Sequence, residues 1–139
     1  MSEASLAAQK FLRTLFINRA ALTALVPATS IFDRNDRPEV FPCILIGEAT
    51  ITADDAACIV ADEIFADCHV WTTENGLAAC KNIVGEIRRG VKDASDVVDG
   101  FALDAYFDSA VYLRDPDGIH SHAVVTLKIL SEDTLAGVV

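Results

Sequence analysis

The chain has 139 residues, of which 52% are hydrophobic and 23% are charged, and its formal net charge is −10. This acidity argues against tight binding to nucleic acid or to an anionic membrane, because both carry negative charge themselves. The apolar content is enough for the core of one domain. We therefore predict a single domain over residues 1–139, with a compact part at about 5–130 and a loose tail at 131–139.

The chain carries no sign of membrane insertion or export. Its longest apolar runs fall far short of the roughly 20 residues that span a bilayer. The N-terminal segment has an acidic residue at Glu3 and no long apolar stretch, which is not typical of a signal peptide. We expect synthesis in a cytoplasm.

The N-terminal segment is predicted to be one helix from near Ser5 to about Leu25. Apolar side chains recur there at helical spacing. Ser2 or Ser5 is expected to cap the start of this helix, and Pro27 to end it.

The next segments alternate between strands and loops. Ile31-Phe32 is predicted as a short strand, the charged loop from Asp33 to Glu39 follows, and Phe41 to Glu48 is predicted as a buried strand. Gly47 indicates a bulge or bend in that strand. The stretch from Ile51 to Cys58 is ambiguous, with a turn expected at its two adjacent aspartates, Asp54-Asp55.

The clearest strand by alternation runs from Ile59 to Thr73. One face carries Ile64, Ala66, Cys68, Val70 and Thr72, and the other carries Phe65, Asp67, His69 and Trp71. Because the second face is half polar, we expect it to be partly solvated or to form an interface.

A second helix is predicted from about Asn75 to Lys92, with Thr73 or Asn75 as its cap. Its apolar residues form one narrow stripe, and basic residues crowd its last turns, where the helix dipole favours cations. A polar connection, Asp93 to Gly100, follows.

A β-hairpin is predicted at the end of the chain, with strands from Phe101 to Leu113 and from Ser121 to Leu130. The turn Asp115-Pro116-Asp117-Gly118 joins them. Proline presets one backbone angle of such a turn, and Gly118 accepts the positive φ that closes it. The element order α-β-β-β-α-β-β favours an α+β fold, with a mainly antiparallel four- to five-stranded sheet and two helices packed on one face.

The four cysteines lack metal-site or redox spacing. Cys43, Cys58, Cys68 and Cys80 include no C-x-x-C pair. We interpret them as buried, reduced thiols, with Cys58 the most exposed, and their spacing leaves open whether any form disulfides.

No pattern predicts catalysis, a cofactor or a metal. His120 and His122 form an H-x-H pair on a predicted strand, beside Asp115 and Asp117, but the sequence specifies no further ligand. The seven glycines are scattered, and no serine lies in a nucleophile elbow. The prediction is that the chain is not an enzyme.

The candidate interface residues include three arginines of this acidic chain, two in the charged loop and one at the end of the hairpin strand, and two large aromatic residues of the strands. Arginine and aromatic side chains are enriched at protein interfaces, although solvated loop charges and ordinary core packing remain open for them. With the hairpin tip, the candidate set is Arg34, Arg37, Trp71, Tyr112, Arg114, Asp115 and Asp117.

Several blocks occur in an order that resembles the bacteriophage tail completion proteins, also called tail terminators, of tailed phages and gene transfer agents. They are ALTALVP, SIFDRNDRPEVFPCILIGE, ADCHVWTTENG, AACKNIVGEIRRGV and FDSAVYLRDPDGIHSHAVVTLKI, which together cover about residues 5 to 130. The four cysteines and Asp54-Asp55 depart from this resemblance.

The resemblance implies a structural virion protein, located in the tail at the head–tail interface after assembly in the host cytoplasm. It implies a homo-oligomeric ring, typically hexameric, that ends tail-tube polymerisation and contacts the tail tube protein and the head–tail connector or stopper protein. DNA would pass through its lumen without specific binding, and no membrane is involved. The alternatives are a connector or stopper protein, or a small acidic cytosolic binding module or metal-binding enzyme.

Overall fold

The fold is built from one sheet and a layer of helices. The computed structural model describes residues 3–35 and 38–136. The elements are α1 (Ala4–Ile17), α2 (Ala20–Thr23), a 3-10 turn (Ala28–Ser30), β1 (Ile31–Phe32), β2 (Cys43–Ala53), β3 (Ala61–Thr72), α3 (Ala78–Val91), β4 (Ser95–Val98), β5 (Phe101–Arg114) and β6 (Ser121–Asp133). The predicted α+β class is confirmed.

The sheet has six strands in the order β1-β2-β3-β6-β5-β4, one more than the largest number predicted. All neighbours pair antiparallel except β1 and β2, which are parallel. The extra strand, β4, lies in the predicted polar connection. It turns into β5 through Asp99 and Gly100, both with positive φ (52° and 84°), as a two-residue hairpin loop requires.

The predicted first helix is two helices. Its first part, α1, ends at Ile17, and Arg19 adopts extended backbone angles before α2 begins at Ala20. The predicted cap is also wrong: the carboxylate of Glu3 accepts hydrogen bonds from the backbone N–H of Ser5 (3.0 Å) and Leu6 (3.3 Å). Ser2 lies outside the described residues. No helix in 3–35 or 38–136 is long and apolar enough to cross a membrane.

The core lies between the helices and one face of the sheet. The predicted buried face of β3 is confirmed, and α3 buries the apolar stripe that its sequence indicates. The fully buried large side chains include Leu12 and Phe16 of α1, Ile87 of α3, and Ile64, Val70, Leu127 and Ile129 of the sheet. Both long helices thus cover the same face, as predicted. No helix within residues 3–35 and 38–136 covers the other face, which is called the open face below.

The second long helix begins later than predicted, at Ala78 rather than Asn75, and neither Thr73 nor Asn75 caps it. The hydroxyl of Ser121 donates to the carbonyl oxygens of Gly76 (2.7 Å) and Glu74 (3.2 Å). This contact holds residues 74–77 as a loop against the start of β6.

The β2 and β6 strands are longer than predicted. A register shift between Leu45 and Glu48 confirms the bulge at Gly47, and β2 then continues to Ala53. The following turn centres on residues 57–58, since Ala56 and Ile59 exchange backbone hydrogen bonds (3.0 and 3.1 Å), and not on Asp54-Asp55. The β6 strand continues to Asp133, into the segment predicted to be loose.

The four cysteines are free thiols; Cys43, Cys68 and Cys80 are buried, and Cys58 is exposed, as predicted. Burial raises the pKa of the Cys43 thiol to about 11 and that of the Cys68 thiol to about 12. The buried thiols therefore stay protonated and unreactive at neutral pH.

Candidate assembly interface

The sheet leaves two strand edges open. β1 pairs with β2 only at Ile44 and Leu45, so no strand of the described chain pairs with the outer side of residues 48–53. On the other side, β4 pairs with β5 only as far as Asp104, and residues 106–114 have no strand on their outer side in the described regions. Unpaired strand edges present free backbone donors and acceptors to another chain.

The two open edges run in opposite directions. The pairs β2–β3, β3–β6 and β6–β5 are each antiparallel. Because three reversals separate β2 from β5, these strands point opposite ways. An open β5 edge of one copy could therefore pair antiparallel with an open β2 edge of another copy in the same orientation.

A corner of the helix-covered face is bare beside the open β2 edge. Ala49 and Ile51 lie opposite Ala66 and Ile64, so their side chains point toward the helix side of the sheet. Both are nevertheless exposed, and Ile51 retains 41% of its accessible surface. An apolar residue on this side is covered elsewhere in the sheet by α1 or α3.

Acidic residues gather at the end of this edge. Asp54 and Asp55 follow β2 directly and are exposed, and the half-buried Asp62 lies opposite Ala53. The pKa of Asp62 is raised, first by partial burial and then by the charges of Asp55, Glu3 and Asp133. We call Asp54, Asp55 and Asp62 the acidic corner.

Basic residues line the exposed side of α3, next to the open β5 edge. The guanidinium of Arg88 stacks on the ring of Phe107 at 4.7 Å, and the ammonium of Lys81 lies 5.4 Å from the ring centre of Tyr112. Both rings belong to β5. We call the exposed residues Lys81, Arg88, Arg89 and Lys92 the basic stripe.

The two predicted aromatic anchors lie on opposite faces. Tyr112 is on the helix side under Lys81, and the pKa of its hydroxyl is raised by burial. Trp71 is half-buried on the open face, stacked on His122 with 3.9 Å between ring centres and 8° between planes. They do not form one site.

Trp71 ends a polar row across the open face. His122 Nε2 lies 2.9 Å from His69 Nδ1, and His69 Nε2 lies 3.0 Å from a carboxylate oxygen of Glu48. Nearby, the hydroxyl of Thr126 donates to Asp67 (2.8 Å). The open face is thus hydrogen-bonded across β2, β3 and β6, as the mixed composition of this face of β3 suggested.

The hairpin tip is a tight turn, as predicted. Gly118 has a φ of +72° and donates its N–H to the carbonyl oxygen of Asp115 (3.0 Å). The Asp117 carboxylate accepts from the backbone N–H of Ile119 (2.8 Å) and His120 (3.0 Å) and contacts the His120 ring. These bonds hold the pKa of Asp117 at about 2.

The H-x-H pair does not form a shared site. His120 precedes β6 and contacts Asp117, whereas His122 contacts His69 and Trp71. Asp115, Asp117 and His120 each offer one ligand atom within 4.8 Å of the others. The hydrogen bonds of the turn account for the positions of Asp117 and His120, and we assign no metal there.

Two of the predicted interface arginines, Arg34 and Arg114, lie with the hairpin tip at one end of the sheet. The guanidinium of Arg34 lies over Phe32 at 4.7 Å, and Arg114 is the exposed last residue of β5. Phe41, at the end of the charged loop, contacts the ring of His120 beside the tip, with 4.5 Å between centres. The loop and the tip are therefore neighbours, whereas the acidic corner lies at the far end of β2. Arg37 is outside the described residues.

The sequence did not predict the two open strand edges, nor that the acidic corner and the basic stripe lie beside them on the surface. The signals were present, since Asp54-Asp55 and the cations at the end of α3 are visible in the sequence. Their positions relative to the edges of the sheet become visible only in the fold.

Comparison with known proteins gives a family and a fold. A model of the family described as tail completion protein gp17 matches residues 10–132. A chain in a solved structure of the virion of a native gene transfer agent particle superposes with a TM-score of 0.84 at 17% identity, over 95% of this chain and 99% of that one, which shows a shared fold. No curated protein matches. The chain therefore belongs to the tail completion protein gp17 family, and it is a structural protein of the virion tail rather than an enzyme.

Proposed function

We propose that the chain forms a closed ring, with six copies expected, at the head-proximal end of the tail tube. There it ends tube polymerisation and joins the tail to the head connector. The observation that carries this proposal is the pair of open, oppositely directed strand edges on the two sides of one sheet. Rotation of one copy onto the next pairs these edges antiparallel, and closure leaves no edge free.

The ends of the sheet supply the contacts along the tail axis. Arg34 of the charged loop and the hairpin tip with Arg114, Asp115 and Asp117 lie at one end of the sheet. Arg37 belongs to the same loop by sequence. Arginine pairs with carboxylates in two-bonded geometry, which suits contacts with the tail tube protein or the connector.

The net charge suits a passage for DNA. Six copies at −10 carry about −60 before counterions. Phosphate neutralisation supplies most non-specific affinity for DNA, so a lumen with an acidic wall lets DNA pass without binding it.

The test is electron microscopy of the purified chain, alone and added to polymerising tail tube protein. We expect rings with a central opening and tubes that bear one ring at a single end and stop growing. Tubes that grow to the same lengths with and without the chain, or rings that form but do not bind the tube ends, would contradict the terminator role. The second result would favour a connector or stopper.

A further inference from the structure

We infer that the basic stripe of α3 in one copy docks on the acidic corner and the bare β2 edge of the next copy. The inference rests on the proposed ring and names its electrostatic contact. The occupant of the bare corner is thus a second copy of this chain, and two matching features support this choice.

The first feature is a separation of charge between the two layers. The helices α1, α2 and α3 carry five basic residues and one acidic residue, Glu86. The four long strands β2, β3, β5 and β6 carry eight acidic and two basic residues. An acidic protein thus presents a basic helix beside one open edge and an acidic cluster beside the other, which is the complementarity that a head-to-tail contact between copies needs.

The second feature is the register of the two edges. If residues 109–111 of β5 pair antiparallel with residues 48–50 of the next copy, the bulge at Asp108 brings Phe107 opposite Ile51 and Tyr106 opposite Thr52, so that opposed side chains point to the same side of the sheet. Ala53 and the acidic corner of that copy then follow past the end of the open β5 edge, where β5 is paired with β4. A groove at this position is lined by Arg88, Arg89, Lys92, Ala105 and Tyr106. The pairing staggers the strands along the ring, as closure of a sheet into a barrel requires.

The same register covers the bare corner. Ile51 of the second copy points to the helix side of its sheet, which is the side on which α3 of the first copy packs over β5. The cations also relieve the mutual repulsion among the carboxylates around Asp62, which adds to the effect of burial in raising the pKa of Asp62.

The experiment is a charge swap with two variants. Variant A carries Arg88→Glu and Arg89→Glu, and variant B carries Asp54→Lys and Asp62→Lys. Each variant alone sets like charges against each other in every contact, so we expect the concentration needed for ring assembly to rise at least about tenfold. An equimolar mixture restores opposite charges if A and B alternate, and native mass spectrometry should find rings with equal numbers of each.

A control variant with Lys10→Glu and Lys128→Glu changes the net charge as much as variant A but lies outside both surfaces. It should assemble like the unmodified chain, and circular dichroism should show that all variants are folded. Normal assembly of A or B alone, or folded variants that fail to assemble when mixed, would overturn the inference. If the unmodified chain itself forms no ring, the proposed function fails instead.

Discussion

The imidazole rings of His69 and His122 face each other across β3 and β6, with His69 Nδ1 2.9 Å from His122 Nε2. The ionised carboxylate of Glu48 only accepts, so Nε2 of His69 must donate to it across 3.0 Å. When both rings are neutral, Nδ1 of His69 accepts and His122 donates from Nε2. This row therefore fixes one tautomer in each neutral ring. Burial, followed by repulsion from the positive charge that His69 carries when it is protonated, lowers the pKa of His122.

The first prediction concerns acid sensitivity. Because the folded-state pKa of His122 lies below its ordinary value of 6.5, the unfolded chain takes up this proton first as the pH falls. The contribution of His122 to stability is thus present above about pH 6.5 and declines as the pH drops toward the lowered pKa. The substitution His122→Phe keeps an aromatic ring stacked on Trp71 and removes the imidazole group that titrates.

The measurement is the melting temperature at about pH 7.5 and 5.5. We expect a larger decrease on acidification for the unmodified chain than for His122→Phe. This difference between variants cancels the general effect of lowering the net negative charge. Equal decreases would show that the His122 proton does not contribute.

The second prediction concerns the hairpin tip. Gly118→Val should lower the free energy of unfolding by about 1–2 kcal/mol, because a β-branched residue must adopt positive φ there. Open space surrounds this glycine, so the cost comes from the backbone and not from a clash. Urea denaturation measures the change. Gly118→Asn, which tolerates this backbone region better, is the control and should lose less; equal losses would count against the backbone explanation.

The third prediction concerns thiol reactivity. Cys58 is exposed, whereas Cys43, Cys68 and Cys80 are buried and have raised pKa values. Treatment of the folded protein with an alkylating reagent at about pH 8 should modify one thiol, and treatment in denaturant should modify all four. Mass spectrometry gives the count, and Cys58→Ser should leave the folded protein unmodified. Rapid modification of two or more thiols in the native state would contradict the described burial.

The fourth prediction concerns the axial contact. Reversal of Arg34 and Arg37 to Glu should leave the fold intact, since Arg34 is exposed and makes only a ring contact with Phe32 among the interactions described. The double variant should impair the joining of heads to tails or ring formation, because in the proposed contact these arginines pair with carboxylates, which the added glutamates would repel. Complementation with the variant gene, followed by a count of infectious particles, measures this. Normal yields would show that the loop is not an interface.

The sequence predicted those parts of the fold that depend on local patterns. Strict alternation identified the buried face of β3, three- and four-residue spacing identified the stripe of α3, and Pro116 with Gly118 identified the hairpin turn. Each signal lies within a dozen or so residues and needs no knowledge of distant neighbours.

The remaining features depend on distant contacts or on breaks in periodicity. Arg19, at the break between α1 and α2, pairs with Glu86 of α3 at 2.9 Å, a contact across 67 positions of sequence. The strand β4 was missed although Asp99-Gly100 is a typical hairpin turn pair.

The position of Tyr112 was hidden by the bulge in β5. Alternation from Asp104 and Tyr106 would place every even-numbered residue of β5 on the open face. The register shift between Phe107 and Ser109 moves Tyr112 to the helix side instead. The candidate interface could not be predicted for the same reason, because its residues are defined by which edge and which face they share.

The bulges in β2 and β5 also bear on how many copies a ring holds. The β2 bulge lies where that strand leaves β1 and begins its open edge, and the β5 bulge lies at Asp108, near the start of the open edge of β5. A bulge bends and twists its strand, so in the proposed ring it would contribute to the angle at which the next copy is added. A head-to-tail contact whose angle does not close yields an endless helical filament rather than a ring. Deletion of Asp108, which straightens β5, would then change a closed ring with a fixed number of copies into a filament. The irregularity of the strand would thus determine the number of copies in the ring.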